Sequence, residues 1–369
     1  MARLRKIINL VDRVSSVNYG IWHAAIATSA ELKKEYGIES WLVSTSFEES
    51  FRPEEFPELQ VFRANDSSKE EARAFFSGFD PSECVVASHG SWQFPTRWGS
   101  IAAKSGFSWV YTPHGMLEPW SMEQKAWKKI PYFFLAEKPM ASKADLVRAV
   151  GRPEMANLVK QFPQTVHIPN GIYSEALSSA EPVNQGLDFL FLARLHFKKN
   201  LMPLVRAWAA SEIIQQSGAV LRIAGTDDGE KANLLAFLEE HPESRIEFLG
   251  PVFGTEKTRQ LKKSSFYLLP SLSEGFPTSV LEAAGAGLIP VISRGCNFPE
   301  IIEAGGAMES GTSQEEIKKA LETAVSLPSA ERGRMRQKAI EIISGGFLWE
   351  KIAGQQALNF QQLLDAKKI

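Results

Sequence analysis

Residues 271–289 read Ser271-Leu272-Ser273-Glu274-Gly275-Phe276-Pro277-Thr278-Ser279-Val280-Leu281-Glu282-Ala283-Ala284-Gly285-Ala286-Gly287-Leu288-Ile289. The run before them, Ser265-Phe266-Tyr267-Leu268-Leu269-Pro270, is short, aromatic and aliphatic, the pattern of a parallel strand buried on both faces. A turn at Glu274-Gly275-Phe276 follows, and Pro277 suits the first position of a helix, where its missing N–H costs nothing. Thr278 and Ser279 then fall in a first turn whose backbone N–H groups lack helical acceptors, so the strand end faces an anion site. Glu274 stands before the helix and Glu282 inside it, with seven residues between them. With a helix from Pro277, Glu282 lies about 7 to 8 Å along the axis from the amino end at ~1.5 Å per residue. A phosphate resting there has a carboxylate on either side, and carboxylates accept the paired hydrogen bonds that vicinal diols donate. A sugar, a diphosphate and a ribose laid in a row fit this arrangement.

The rest of the chain supplies a frame for such a site. At 369 residues it is long for one core, so two domains are expected. The composition, 44% hydrophobic and 23% charged, is that of a globular protein, and a net charge of −2 gives no field that would hold a nucleic acid. Cys84 and Cys296 stand far apart in no metal or redox spacing and read as buried thiols of a reducing compartment. The amino end is too short in apolar residues for a secretory leader and reads as a first strand, and no run of about 20 apolar residues spans a membrane. Asn65-Asp66-Ser67 matches a glycosylation sequon, which carries no weight without a leader.

Taken in order, Lys6 to Val11 is strand-like, Asp12 to Gly20 is a polar loop, Ile21 to Tyr36 has helical spacing closed by Gly37, and Glu39 to Ser44 is a strand. That is a βαβ unit. Glu83 to Ser88 and Phe107 to Tyr111 are further buried strands, each with a histidine then a glycine at or just past its carboxyl end: His89-Gly90 and His114-Gly115. In an open α/β sheet that edge binds ligands. Between Ser121 and Ala141, Lys125, Lys128, Lys129 and Lys138 interleave with Trp127, Tyr132, Phe133 and Phe134. Two readings stand: aromatics facing the domain core under solvated lysines, or an aromatic face laid against an anionic bilayer. Residues 173–186, rich in Ser, Ala, Glu and Pro, read as a linker. Strands are expected again at Phe189 to Ala193, Val220 to Ala224, Ile246 to Leu249, Phe266 to Leu269 and Pro290 to Ser293, alternating with helices. The expected architecture is thus α/β, two doubly wound parallel-sheet domains over 1–172 and 187–349, facing a cleft. Arg194 and Lys199 follow the first strand of the second half, where two cations stabilise charge that develops on a leaving phosphate.

Glu274-Gly275-Phe276-Pro277-Thr278-Ser279-Val280-Leu281-Glu282, with Ala283-Ala284 and Ile289-Pro290-Val291-Ile292 behind it, resembles the donor-site motif of the retaining glycosyltransferases of the sucrose-synthase-like family four, which have the GT-B fold. Arg194-Leu195-x3-Lys199-Asn200 is similar to a second motif of that family and departs from it at Ala193, where glycine is usual. Pro113-His114-Gly115-Met116-Leu117-Glu118-Pro119-Trp120 resembles transferases that build bacterial surface polysaccharides. The likeness runs along nearly the whole chain, firmly over residues 187–303. It implies a hexosyl transfer from a UDP-, GDP- or ADP-sugar to a saccharide or lipid-linked saccharide hydroxyl, with retention at the anomeric carbon. Glu282 would hold the ribose, Arg194 and Lys199 the diphosphate, and Gly275, Phe276, Pro277, Thr278 and Ser279 the phosphate and sugar edge. Glu274 and His114 would bracket the sugar, with His89 beside them, Gly20 facing the phosphates, and Gly250 and Val252 in the loop that meets the base. A single glycine at 20 stands where many members have two. The fold implied has a last helix, over 350–369, crossing back to the first domain. No cofactor or metal is expected, and the place is cytoplasmic, with peripheral contact at the inner membrane face. A catalytically silent nucleotide-sugar binder and a nucleotide-sugar epimerase are the rival readings.

Overall fold

The computed structural model describes residues 3–65, 68–177 and 186–367. Asp66 and Ser67 of the sequon and most of the expected linker, 178–185, lie outside the described residues. The chain divides into two compact units, Met1–Gly171 with Trp349–Ile369, and Ile172–Leu348.

The first unit carries β1 (Lys6–Val14), β2 (Glu39–Phe47), β3 (Leu59–Arg63), β4 (Cys84–His89), β5 (Ser108–Thr112), β6 (Leu146–Ala149) and β7 (Thr165–His167), hydrogen-bonded in the order β3-β2-β1-β4-β5-β6-β7. The second carries β8 (Asp188–Leu192), β9 (Val220–Ala224), β10 (Ile246–Gly250), β11 (Phe266–Leu269), β12 (Ile289–Ser293) and β13 (Met308–Ser310), in the order β10-β9-β8-β11-β12-β13. Every strand pair is parallel. The fold is therefore α/β with two doubly wound sheets, as the strand and helix alternation predicts. In each sheet the order reverses once, between β1 and β4 and between β8 and β11, and a doubly wound sheet opens for ligands outside the carboxyl ends at that reversal.

Local departures from the expected elements have physical causes. β1 runs on to Val14 because Arg13 and Val14 still pair with Ser46 and Phe47 of β2, and the loop shrinks to residues 15–18. Gly20 therefore lies in the first turn of a helix, Tyr19–Ile26, and not in a loop. The expected helix 21–36 is two, Tyr19–Ile26 and Ser29–Tyr36. At the break the Thr28 hydroxyl donates to Gln356 of the last helix at 2.6 Å. That helix, Trp349–Ala366, buries Ala353, Phe360 and Leu364 in the first unit beside Leu4, Ile7, Leu32 and Val85, and Trp349 and Ile352 beside Ala24, Ala27 and Ile168. Edge strands β3 and β13 were not expected, being five and three residues of mixed polarity.

The second core gathers Phe189, Trp208, Phe266 and Tyr267 with the aliphatics of all its inner strands. Val252 is 9% exposed and its side chain belongs to that core. Gly250 closes β10 with φ +70°, and its carbonyl accepts from the Gly225 N–H at 3.0 Å.

Candidate functional site

At the reversal of the second sheet, the loops after β8, β11 and β12 are fastened to one another by backbone bonds. The Leu272 N–H donates to the Lys198 carbonyl at 2.9 Å, and the Glu274 N–H donates to the Gly295 carbonyl at 2.7 Å. The Ser293 hydroxyl donates to the Ser271 carbonyl, the Cys296 thiol to the Leu269 carbonyl at 3.1 Å, and the Asn297 amide to the Glu274 carbonyl at 2.6 Å. This lacing brings Lys199 to Glu274.

The Lys199 ammonium lies 2.6 Å from Glu274 Oε1, and the Ser271 hydroxyl donates to the same oxygen at 2.6 Å. Side-chain exposure is 16% for Lys199 and 11% for Glu274, so the pair is largely withdrawn from water. Burial alone would push the Glu274 carboxyl up, but the Lys199 charge and the two hydrogen bonds outweigh it and hold it below the ordinary value. Glu274 is therefore an ionised carboxylate whose Oε2 accepts no bond from the described residues.

Glu282 is built on the same plan. Lys257, on the helix Gly254–Lys263, sits 2.7 Å from Glu282 Oε1, and Oε2 again has no partner among the described residues. A cavity of about 680 Å³ opens beside the pair, lined also by Leu177, Thr258, Leu261 and Ala286, within the range of small-ligand sites. The helix over residues 278–285 starts one residue later than expected, with Pro277 as its N-cap and not its first residue. Glu282 consequently lies nearer the helix start, about 6 Å at ~1.5 Å per residue.

The anion site at that helix is narrower than the sequence predicts. The Thr278 N–H donates to the Phe276 carbonyl, and those of Val280 and Leu281 donate to the Pro277 carbonyl. Among the first-turn groups, only the Ser279 N–H lacks an acceptor in the described chain, joined by those of Gly275 and Phe276 in the preceding turn. The Ser279 hydroxyl bonds inward to Tyr267 at 2.8 Å, and the Phe276 ring packs on Phe298 and Phe347. Both side chains serve the core, leaving the backbone to face outward.

Arg194 does not join Lys199 at Glu274. The Leu195 N–H donates to the Thr226 carbonyl and the Leu195 carbonyl accepts from Asp228 and Glu230, so the loops after β8 and β9 run together and the Arg194 guanidinium meets Asp228 at 2.5 Å. The close approach here falls to Gly225, where a Cβ would meet the Ala193 carbonyl oxygen at 1.8 Å. His196, which the sequence did not single out, feels Asp228, Arg194, Lys198 and Lys199 together, although burial is the largest influence lowering its pKa.

In the first unit the structure brings His89 and His114 together at the carboxyl edge of β4 and β5. His89 Nε2 is 3.2 Å from Asn9 Oδ1, and His89 Nδ1 is 3.0 Å from His114 Nε2. As Asn9 is oriented, its oxygen accepts, so His89 carries its proton on Nε2. His114 must then donate from Nε2, and its Nδ1 is a bare acceptor. His114 has φ +54°, with the Gly115 N–H anchored on Glu154 at 2.6 Å. Burial, then His114 and Arg148, hold His89 well below the ordinary imidazole range; burial, then Arg148, hold His114 at about 3.

Both imidazoles bind protons less readily folded than unfolded. Their contribution to stability is complete above about 6.5 and declines as pH falls below it, because the unfolded chain takes up protons first. Replacing both with glutamine is expected to flatten the fall of the melting temperature between about pH 6.5 and pH 5. Glu154, raised to about 7 by burial, acts in the opposite sense but is common to both proteins and cancels in the comparison. An unchanged slope would refute the assignment.

Two α/β units with parallel sheets of this kind match the fold of solved GT-B glycosyltransferases. More particularly, residues 176–342, within the second unit, match the family described as Glycosyl transferases group 1. A curated relative from Arabidopsis thaliana, one of the subunits of phosphatidylinositol N-acetylglucosaminyltransferase, is 24% identical over 293 residues, covering 76% of this chain and 63% of that protein. The chain thus spans under two thirds of that relative. A glycosyltransferase of Rickettsia africae ESF-5 superposes with TM-score 0.77 at 15% identity, over 98% of this chain and 99% of that one. Anabaena HepE in complex with UDP and glucose gives 0.75 at 17%, over 97% and 100%. At these identities the likeness carries the fold.

Proposed function

We propose that the protein transfers a sugar from a nucleoside diphosphate sugar to the hydroxyl of a saccharide or lipid-linked saccharide, with retention at the anomeric carbon. One observation carries this reading. Glu274 and Glu282 each have one oxygen paired with a lysine and the other without a partner among the described residues, so two carboxylates with an open acceptor oxygen stand before and within one helix. HepE, similar in fold, was crystallised with UDP and glucose, and the group 1 domain match covers the same residues.

In this reading Glu282 accepts from the ribose diol beside its cavity, while the Gly275, Phe276 and Ser279 N–H groups meet the phosphate and the sugar edge. Lys199 meets the terminal phosphate, and Arg194 reaches the diphosphate by exchanging Asp228 for it. His114, in the first unit, keeps a bare Nδ1 that can accept from a hydroxyl. The bond from the anomeric carbon to the phosphate oxygen breaks, the acceptor oxygen bonds to that carbon on the same face, and its proton passes to the leaving phosphate oxygen. Two cations with backbone dipoles balance the charge of the leaving group in this scheme.

Nucleoside diphosphate release from a panel of UDP-, GDP- and ADP-sugars, with and without oligosaccharide acceptors, tests the reading. Release that depends on acceptor supports it; binding with no release under any condition assigns a silent binder instead. Glu282→Ala is expected to lower nucleoside diphosphate affinity about tenfold, as loss of a hydrogen bond to a charged group does, and to lower turnover with it. Calorimetric titration with UDP, GDP and ADP measures the first effect and identifies the base.

A further inference from the structure

The segment from Ala126 to Ala141 is a helix with a wide π turn at Phe133–Glu137. Its inward face is fixed. Phe133 is buried in the first unit's core, and the buried Glu137 carboxylate accepts from the Trp92 N–H at 3.1 Å and the hydroxyls of Thr96 and Tyr111 at 2.7 and 2.8 Å. The extra residue of the π turn lets Glu137 and Ala141 face inward while their neighbours face out. On that outer side stand Trp127, Ile130, Phe134 and Leu135, spaced i, i+3, i+7 and i+8, with exposures of 75%, 45%, 57% and 82%. Of the aromatics for which two readings stood, only Phe133 is fully buried. Turning the apolar side inward would cost the three bonds to Glu137.

Charge decides what covers this face. Glu137 is the only acid between residues 124 and 141, and it is buried, while Lys125, Lys128, Lys129 and Lys138 surround the apolar row. The Lys128 ammonium lies 4.6 Å from the Trp127 ring centre and that of Lys138 5.8 Å from Phe134, so charged heads rim apolar bodies. Protein interfaces are depleted in lysine at such positions, whereas interfacial helices on anionic lipid are enriched in it. We propose that this face docks the protein on an anionic bilayer, with Trp127, Ile130, Phe134 and Leu135 entering the headgroup boundary and Lys125 and Lys128 meeting the lipid phosphates. No described helix is long and apolar enough to cross a membrane. The proposal deepens the lipid-linked acceptor reading by naming the surface that meets the membrane, yet docking needs no turnover.

Cosedimentation with phosphatidylcholine vesicles and with vesicles that also contain phosphatidylglycerol is the test. The protein is expected to partition to the anionic vesicles, and the double variant Trp127→Ser, Leu135→Ser to lose at least about tenfold of that partition. Lys125→Gln with Lys128→Gln is expected to weaken it and to remove part of its salt dependence. Both variants alter exposed side chains, and unchanged melting temperature and unchanged release from a soluble acceptor show that the fold and the donor site are intact. A second readout uses Leu135→Cys labelled with a polarity-sensitive dye, selective because Cys84 and Cys296 are both buried; its emission is expected to shift to the blue on anionic vesicles. Absence of binding by the native protein overturns the proposal even if glycosyl transfer is found. So does concentration-dependent dimerisation that the Trp127 and Leu135 changes abolish, which would assign the face to a second copy.

Discussion

Alanine at Lys199 is expected to lower acceptor-dependent nucleoside diphosphate release by about a hundred- to a thousandfold, the range seen when one fixed electrostatic stabiliser is removed from a reacting centre. The affinity for the diphosphate is expected to fall much less, because charge on the leaving phosphate grows only as the sugar bond breaks. Single-turnover rates and calorimetric affinities, measured on the same preparation, separate the two. The structure adds a consequence for stability. With Lys199 gone, Glu274 keeps its Ser271 bond but loses the neighbouring charge, and burial then governs its carboxyl. Breaking a buried pair by removing one partner costs about 3 kcal/mol, and the partial exposure of this pair puts the loss below that figure. Because the folded pKa of Glu274 is depressed, its contribution is present above the unfolded carboxylate range and lost as pH falls through the folded value. Lys199→Ala is therefore expected to be less stable than the native protein near neutrality, with the gap closing in acid. Adding Glu274→Gln to it is expected to recover stability without recovering turnover. Equal and small effects of Lys199→Ala and Glu282→Ala on both rate and affinity would dismantle the site as drawn.

What the sequence could convey about this site follows from what each feature depends on. The strands β8, β9 and β11 are mainly apolar, broken by Asp188 at the start of β8 and by Arg222 within β9, because both faces of a central parallel strand are covered, so their bounds are close to those the pattern predicts. Glu274, Glu282 and Lys199 are legible because each stands at a fixed distance from such a run. Lys257 is not: it reaches Glu282 from another helix, 25 residues earlier, and no spacing rule joins two neighbouring helices. The choice between a core-facing and a solvent-facing aromatic helix at residues 126–141 was equally closed to sequence. Its outcome depends on Trp92, Thr96 and Tyr111 converging on one carboxylate, and on a π turn that breaks the 3.6-residue period. The free N–H groups near Pro277 show the same limit. Proline marks a helix start to within one residue, yet that residue decides which backbone donors remain open.

The loop lacing around Glu274 makes Gly295→Ala a damaging change away from the charged groups. Gly295 is needed for room: a Cβ there would lie 2.4 Å from the Ser271 carbonyl oxygen and 2.6 Å from that of Leu272. Both obstacles are backbone atoms, so no rotamer change relieves the clash, and one loop must move away from the other. The moving parts are those that place the carboxylate. Ser271 supplies the hydroxyl on Glu274 Oε1, the Gly295 carbonyl accepts from the Glu274 N–H, and Asn297 holds the Glu274 carbonyl. Overpacking of this kind costs about 1–3 kcal/mol, leaving a folded protein to assay. A displacement of about 1 Å at a positioned group can lower a rate on the order of a hundredfold, so turnover is expected to fall far more than the melting temperature implies. Asn297→Ala removes one clamp without adding bulk and is expected to give a smaller loss of rate. If Gly295→Ala lowers the melting temperature yet leaves acceptor-dependent release unchanged, the position of Glu274 has no bearing on the reaction, and the carboxylate pair that supports the proposed transfer loses its meaning.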